Sequence, residues 1–144
     1  MFFSSLNLGN PRKIMLRILL VEDEEAILEL FQRQLASIGM TNVKTVATCE
    51  EGIAVITGMT FDVVITDFNA GPEKTGADVL RAARLRHNAT DVVIVTGQVD
   101  PNEQREIRRL GVDGFLAKPY KFERLVQILR DLGRYSDPEY SAPD

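Results

Sequence analysis

Scarcity sets the first limits on this chain. Its 144 residues include one cysteine, one histidine and no tryptophan. A lone Cys49 closes no disulfide, and without a Cys-x-x-Cys pair there is no zinc knuckle and no dithiol redox centre. A lone His87 leaves no stock of imidazoles for a His-rich metal cluster or a His–Ser relay. No apolar run approaches the roughly 18 residues that a membrane helix needs. The opening Met1-Phe2-Phe3 lacks a basic flank and is soon broken by Ser4, Ser5 and Asn7, so an export signal is not expected. Basic charge is short as well: 17 Lys and Arg against 21 Asp and Glu leave a net charge of −4. That balance weighs against a nucleic-acid surface. What is present is an ordinary globular composition, 44% hydrophobic and 26% charged, in a length suited to one domain. The expectation is a small acidic protein of a reducing compartment, the cytoplasm, acting away from membranes and nucleic acid.

Residues 1–14 mix apolar and turn residues without a period and contain the punctuating Gly9-Asn10-Pro11, so they read as an N-terminal extension. Order begins sharply afterwards. Ile18-Leu19-Leu20-Val21 is too short for a helix, is stopped by acids, and reads as a buried strand. Ile27, Leu30, Phe31, Leu35 and Ile38 follow at helical spacing, with Gly39 closing the helix. Val43 to Ala47 predicts a short strand, and Glu50 to Thr57 a helix ending at Gly58. Phe61 to Thr66 predicts a third strand, and a polar loop from Phe68 to Thr75 leads into a helix from about Gly76 to His87. Asp91 to Thr96 repeats the strand pattern. Asp100, Pro101 and Glu103 form a strong helix start. Gly114 to Ala117 is the fifth strand, and Phe122, Leu125, Val126 and Leu129 mark the last helix. The domain is expected over 15–132, with a fraying polar tail over 133–144. Strands with Val and Ile on both faces need helices on both faces. Parallel strands need right-handed crossovers, so the pattern predicts a doubly wound five-stranded parallel α/β sheet with five helices. The helix from Pro101 to Leu110 has only Ile107 and Leu110 as its apolar face and is expected to be the most loosely held.

Sites in such sheets lie beyond the carboxyl ends of the strands. Strand one ends in Glu22-Asp23-Glu24-Glu25, strand three in Thr66-Asp67, strand four in Thr96-Gly97 and strand five in Lys118-Pro119. Each has an ordinary explanation alone. Acids favour the positive start of a helix, Asp67 fits a turn, Thr96 a satisfied strand end, and Lys118 a solvated surface. Four strands delivering three carboxylates, a hydroxyl and an ammonium to one edge is harder to assign to accident. Crowded carboxylates call for a cation, and a small set of hard oxygen donors suits Mg²⁺. A carboxylate beside such an ion, with Lys and a hydroxyl nearby, can attack phosphorus.

Leu19-Leu20-Val21-Glu22-Asp23-Glu24, Val64-Ile65-Thr66-Asp67, Ile94-Val95-Thr96-Gly97 and Gly114-Phe115-Leu116-Ala117-Lys118-Pro119 together resemble the receiver domain of two-component response regulators, over about Arg17 to Leu132. The resemblance implies a flavodoxin-like fold with strand order 2-1-3-4-5. It implies Asp67 as phosphoacceptor, and Glu22, Asp23, Asp67 and the backbone carbonyl of Asn69 as the Mg²⁺ site. It further implies Thr96 as switch hydroxyl, Lys118 as the phosphate-contacting Lys, Phe115 as switch aromatic, and a cis Lys118–Pro119 bond. Two departures stand out. Glu22 is one methylene longer than the usual Asp and would reach a metal either directly or through water, and the loop Phe68 to Gly76 is one residue longer than the usual pattern.

The function so implied is a phosphorylation-controlled switch rather than an enzyme. A sensor histidine kinase or a phosphotransfer protein would supply the phosphoryl group. Output would pass to a further protein partner through the face made by the fourth helix, fifth strand and fifth helix, because about 12 residues after Leu132 are too few for an output domain. The chain would be a monomer or a weak dimer through that same face. Two other readings stay open. One is a receiver-like interaction module that works without phosphorylation. The other is an Asp-nucleophile phosphohydrolase, which Asn69 disfavours because it cannot serve as the general acid two residues beyond the nucleophile. Asn69 and Gln98 are both polar and not bulky, which implies water access to the phosphorylated site and loss of the group within minutes.

Overall fold

Runs of aliphatic and β-branched residues pair here as a five-stranded parallel sheet. The computed structural model describes residues 15–97 and 100–137. The N-terminal extension 1–14, Gln98 and the tail from 138 lie outside the described residues. The elements alternate as β1 (Ile18–Val21), α1 (Glu25–Ser37), β2 (Val43–Val46), α2 (Cys49–Gly58), β3 (Val63–Asp67), α3 (Gly76–Arg86), β4 (Asp91–Thr96), α4 (Pro101–Arg109), β5 (Gly114–Ala117) and α5 (Phe122–Asp131). The strand order is β2-β1-β3-β4-β5, as the resemblance implies. In register, Ile18 pairs with Val43 and Val63, Asp67 with Val95, and Thr96 with Ala117.

Side chains alternate across a strand, so successive residues serve opposite faces. Leu19, Val21, Val64 and Ile94 pack with Ile56, Val79, Leu80, Ala83 and Ile107 from α2, α3 and α4. Ile18, Leu20, Ile65 and Val93 pack on the other face with Phe31 and Leu35 of α1 and with Leu125, Ile128 and Leu129 of α5. Both faces are thereby dry, which is why these strands read as unbroken apolar runs. Three helices begin with reciprocal capping boxes: Thr48 with Glu51, Thr75 with Asp78, and Asp100 with Glu103, the last with Pro101 in its first turn. Each box satisfies orphan N–H groups at the edge where the strands end. Gly39, at φ +86, turns the chain out of α1.

One difference from the sequence reading has a local cause. β3 begins at Val63 rather than Phe61, because Asp62 turns aside: its carboxylate accepts the Arg17 N–H at 2.8 Å. The described part of the expected tail makes contacts of its own. Arg134 donates to the Asp91 carboxylate at 2.8 Å and to the Ala89 carbonyl at 3.1 Å, and the Arg130 guanidinium lies 5.8 Å from the Tyr135 ring centroid. α1 carries no side-chain cap; Glu24, its N-cap residue, donates its N–H to Glu22 Oε2 at 3.0 Å. At the opposite, amino edge of the sheet, a cavity of ≈ 490 Å³ is lined by Met15, Leu16, Met40, Arg134, Tyr135 and Ser136 among others. Among the described residues, no helix is long and apolar enough to cross a membrane.

Candidate functional site

The central strand carries its last residue, Asp67, to the carboxyl edge between the ends of β1 and β4. Thr66, just before it, bonds the Asp67 carbonyl through its hydroxyl at 2.9 Å, and the Phe68 N–H donates to the Val95 carbonyl at 2.9 Å. The aspartate therefore sits on a fully hydrogen-bonded strand end. Glu22 and Asp23 arrive from the end of β1. One carboxylate oxygen from each of Glu22, Asp23 and Asp67 lies within 4.8 Å of the others, Glu22 and Asp67 buried and Asp23 exposed.

Lys118 answers this charge from the end of β5. Its Nζ donates to Glu22 Oε1 at 3.0 Å and to Asp67 Oδ2 at 3.3 Å. The Lys118–Pro119 bond is cis, and the Lys118 N–H donates to the Thr96 carbonyl at 2.7 Å. The Glu22 side chain is 1% exposed and that of Lys118 22%. Burial pushes the Glu22 carboxyl above its ordinary value, a push to which the Asp67 charge adds. The Glu24 N–H, at 3.0 Å from Oε2, and Lys118 pull it back without cancelling the effect. Burial alone would lower the Lys118 ammonium, but the Glu22 hydrogen bond and the charges of Asp67 and Glu22 outweigh it and leave it raised. The Lys118 contact thus offsets part of what burial costs the Glu22 charge.

Of the other residues singled out in the sequence, Thr96 and Asn69 lie at this edge and Phe115 lies behind it, while Gln98 is outside the described residues. Thr96 is buried at the end of β4. Asn69 is exposed, and its N–H reaches Asp67 Oδ1 at 3.3 Å. Phe115 is half-buried on β5 opposite Ile94 and packs on the cluster that holds Ile107 of α4.

Two contributors are not evident from the sequence reading. Tyr120 donates its hydroxyl to Gln34 of α1 at 2.8 Å and stacks on Phe31, ring centroids 5.0 Å apart, clamping the segment after Pro119 to α1. Glu50, at the start of α2, accepts the N–H groups of Glu73 and Lys74 through Oε2 at 3.0 and 2.9 Å. Those bonds, led by that of Lys74, hold the Glu50 carboxyl below its ordinary value. A signal for Glu50 does exist. Thr48 needs only one acid three residues on for its capping box, and Glu51 fills that place, leaving the adjacent Glu50 without a helical task.

A family model described as the response regulator receiver domain matches residues 18–130. This chain belongs to the response regulator receiver family. The receiver is similar in structure to the chemotaxis response regulator CheY4 of Vibrio cholerae, with a TM-score of 0.72 and 29% identity over 83% of this chain and 99% of that one. It is similar also to a CheY-like receiver protein from Methanospirillum hungatei, with a TM-score of 0.75 and 27% identity over 83% and 95% of the two chains. The cell cycle response regulator CtrA of Brucella ovis is 30% identical over 121 residues, which is 84% of this chain and 51% of that protein. The chain thus spans about half the length of the curated relatives it matches. A receiver is a signalling module of two-component systems rather than an enzyme, and its family implies a histidine kinase partner in general. Its acidic pocket of Glu22, Asp23 and Asp67 is typical of phosphorylation sites in that family, and the three hard carboxylates are consistent with a Mg²⁺ site.

Proposed function

We propose that this receiver is a phosphorylation-controlled switch in which Asp67 takes the phosphoryl group. The observation that carries the reading is Lys118 Nζ lying between Glu22 and Asp67, beside the exposed Asp23. That arrangement combines a carboxylate nucleophile, a set of hard donors and a fixed cation. Mg²⁺ would be held by Glu22, Asp23, Asp67 and the carbonyl of Asn69, and when bound it supplies positive charge against the phosphoryl oxygens. Asp67 attacks the phosphorus of a phosphohistidine presented by a sensor histidine kinase or a phosphotransfer protein. An acyl phosphate forms at Asp67, and the phosphorus–nitrogen bond to the donor imidazole breaks. Lys118 then holds a phosphoryl oxygen in place of the Asp67 oxygen it bonds at rest.

The product carries roughly two negative charges and three acceptor oxygens where there was one charge. Thr96 turns its hydroxyl toward one of these oxygens, and Phe115 follows inward toward the space that leaves. Phe115 and Ile107 share one apolar cluster, so an inward Phe115 alters the seat of α4. The face of α4, β5 and α5 thereby changes shape for a protein partner in the cytoplasm.

Mass measurement of the intact chain after incubation with Mg²⁺ and a small acyl phosphate tests this reading. The expected result is a gain of one phosphoryl group that is abolished in Asp67→Asn. A parent chain that gains nothing at any Mg²⁺ or donor concentration overturns the reading.

A further inference from the structure

We infer that Glu50 is a positioning residue for the phosphoryl site: from the start of α2 it fixes the loop that carries Asn69 beside Asp67. The inference rests on the receiver reading above and extends it to a residue outside the carboxylate cluster. The loop from Phe68 to Gly76 is long for its task, and its two ends are closed on each other by the Gly76 N–H donating to the Phe68 carbonyl at 2.8 Å. Such a closed loop still needs an external hold to fix its middle. α2 supplies that hold in both senses. The Cys49 N–H, an orphan donor of the first helical turn, bonds the Ala70 carbonyl at 2.6 Å. One residue on, Glu50 Oε2 accepts from Glu73 and Lys74.

The fit around this contact is close. Gly71 has φ +126, and a Cβ there would stand 2.2 Å from Glu50 Oε1 and 3.3 Å from Thr48 Cβ. Only glycine lets the loop backbone pass this near the carboxylate. Glu50 Oε1 is itself buried with no hydrogen-bond partner among the described residues. The carboxylate is therefore oriented by contact on one side and by two N–H groups on the other. Ala70, held by Cys49, is the neighbour of Asn69, whose N–H meets Asp67 Oδ1. A shift of the 70–74 segment is thus passed to residue 69 through one peptide unit. Glu50 touches neither Asp67 nor the other carboxylates of the cluster; it acts through the backbone of the loop, as outer partners of a metal site do.

The test follows labelling of the full chain by acetyl phosphate as Mg²⁺ is varied, in the parent and in Glu50→Ala, Glu50→Gln and Glu51→Ala. Glu50→Ala is expected to raise the half-saturating Mg²⁺ by about tenfold, the low end for loss of an outer partner, while labelling at saturating Mg²⁺ stays within about twofold of the parent. Glu50→Gln keeps an acceptor oxygen for the two N–H groups and is expected within about twofold of the parent throughout. Glu51→Ala breaks the Thr48 capping box without touching the loop 70–76, so it loosens α2 and is expected to leave the half-saturating Mg²⁺ unshifted. An unshifted Glu50→Ala, or an equal shift in Glu51→Ala, overturns the role of Glu50 alone. A Glu50→Gln variant as impaired as Glu50→Ala would mean that charge acts there rather than position. A parent that is never labelled instead removes the receiver reading, and this proposal with it.

Discussion

Lys118 touches two acids at the sheet edge, and a third stands beside them without an ion pair among the described residues. At an effective dielectric of about 20, unit charges no more than 4.8 Å apart repel by at least about 3 kcal/mol. Halved for the exposure of Asp23, this still exceeds the roughly 0.3–1 kcal/mol that an acid gains before a helix. Asp23→Asn should therefore raise the metal-free melting temperature by about 1–3 °C and shrink the further rise that Mg²⁺ brings. A calorimetric melt that falls in the variant would refute the crowding argument. Asp67→Asn is a different case, because it also gives up the Lys118 contact.

Tyr120 sets a pH dependence of its own. Burial, with some help from the Glu22 charge, pushes its hydroxyl up to about 12 from an ordinary value of 10.0. Between those values the folded chain keeps a proton that the unfolded chain has lost, so stability falls as pH rises through that window. Tyr120→Phe should flatten that alkaline slope in denaturant titrations while costing about 1 kcal/mol at neutral pH for the lost bond to Gln34. An unchanged slope would place the titration elsewhere. The carboxylates and Lys118 were legible in the sequence because each ends an apolar strand, so their common edge follows from topology. Glu50 was not. The spare acid beside Glu51 marks Glu50 as outside the capping box, but its partners are backbone N–H groups of Glu73 and Lys74, which leave no mark in residue type.

Strands and helices differ in how plainly they declare themselves. β1, β4 and β5 appear where their apolar runs lie, and the start of α4 is marked by its cap. The start of β3 was misjudged by two residues because Phe61 is apolar and buried without being in the ladder, its carbonyl accepting from the Thr90 hydroxyl at 2.6 Å. Contact between β5 and α5 also hides in the sequence as an unremarkable Gly114. A Cβ there would stand 2.7 Å from Ile128 Cγ2 and 3.2 Å from Val93 Cγ2. Both neighbours are stiff β-branched residues that cannot swing aside. Gly114→Ala should cost about 1–3 kcal/mol by overpacking, read as a lower denaturant midpoint with an unchanged slope. Ile128→Val keeps Cγ2 and should cost the same with or without Gly114→Ala, whereas Ile128→Ala should cost less in the Gly114→Ala background than alone.

Across the whole molecule the hold on the helices is uneven. α1, α2, α3 and α5 each bury two or more residues, while α4 buries Ile107 alone. Its outer links, such as Arg81 of α3 to Glu106 at 3.4 Å, are exposed ion pairs worth well under about 1 kcal/mol. Backbone amides of α4 should therefore exchange with solvent at least about tenfold faster than those of α2 and α3. Uniform protection across the helices would contradict a loosely seated α4. The cavity at the amino edge has a practical consequence of another kind. Met15 and Ser136 both line it, so the described backbone enters and leaves the sheet on the side away from Asp67. A linker joined to a side chain placed at Met15 or Ser136, to a sensor surface or to a reporter, would present the carboxylate edge to the solution. Immobilised this way, the molecule keeps its reactive side open to a phosphodonor while its orientation is fixed.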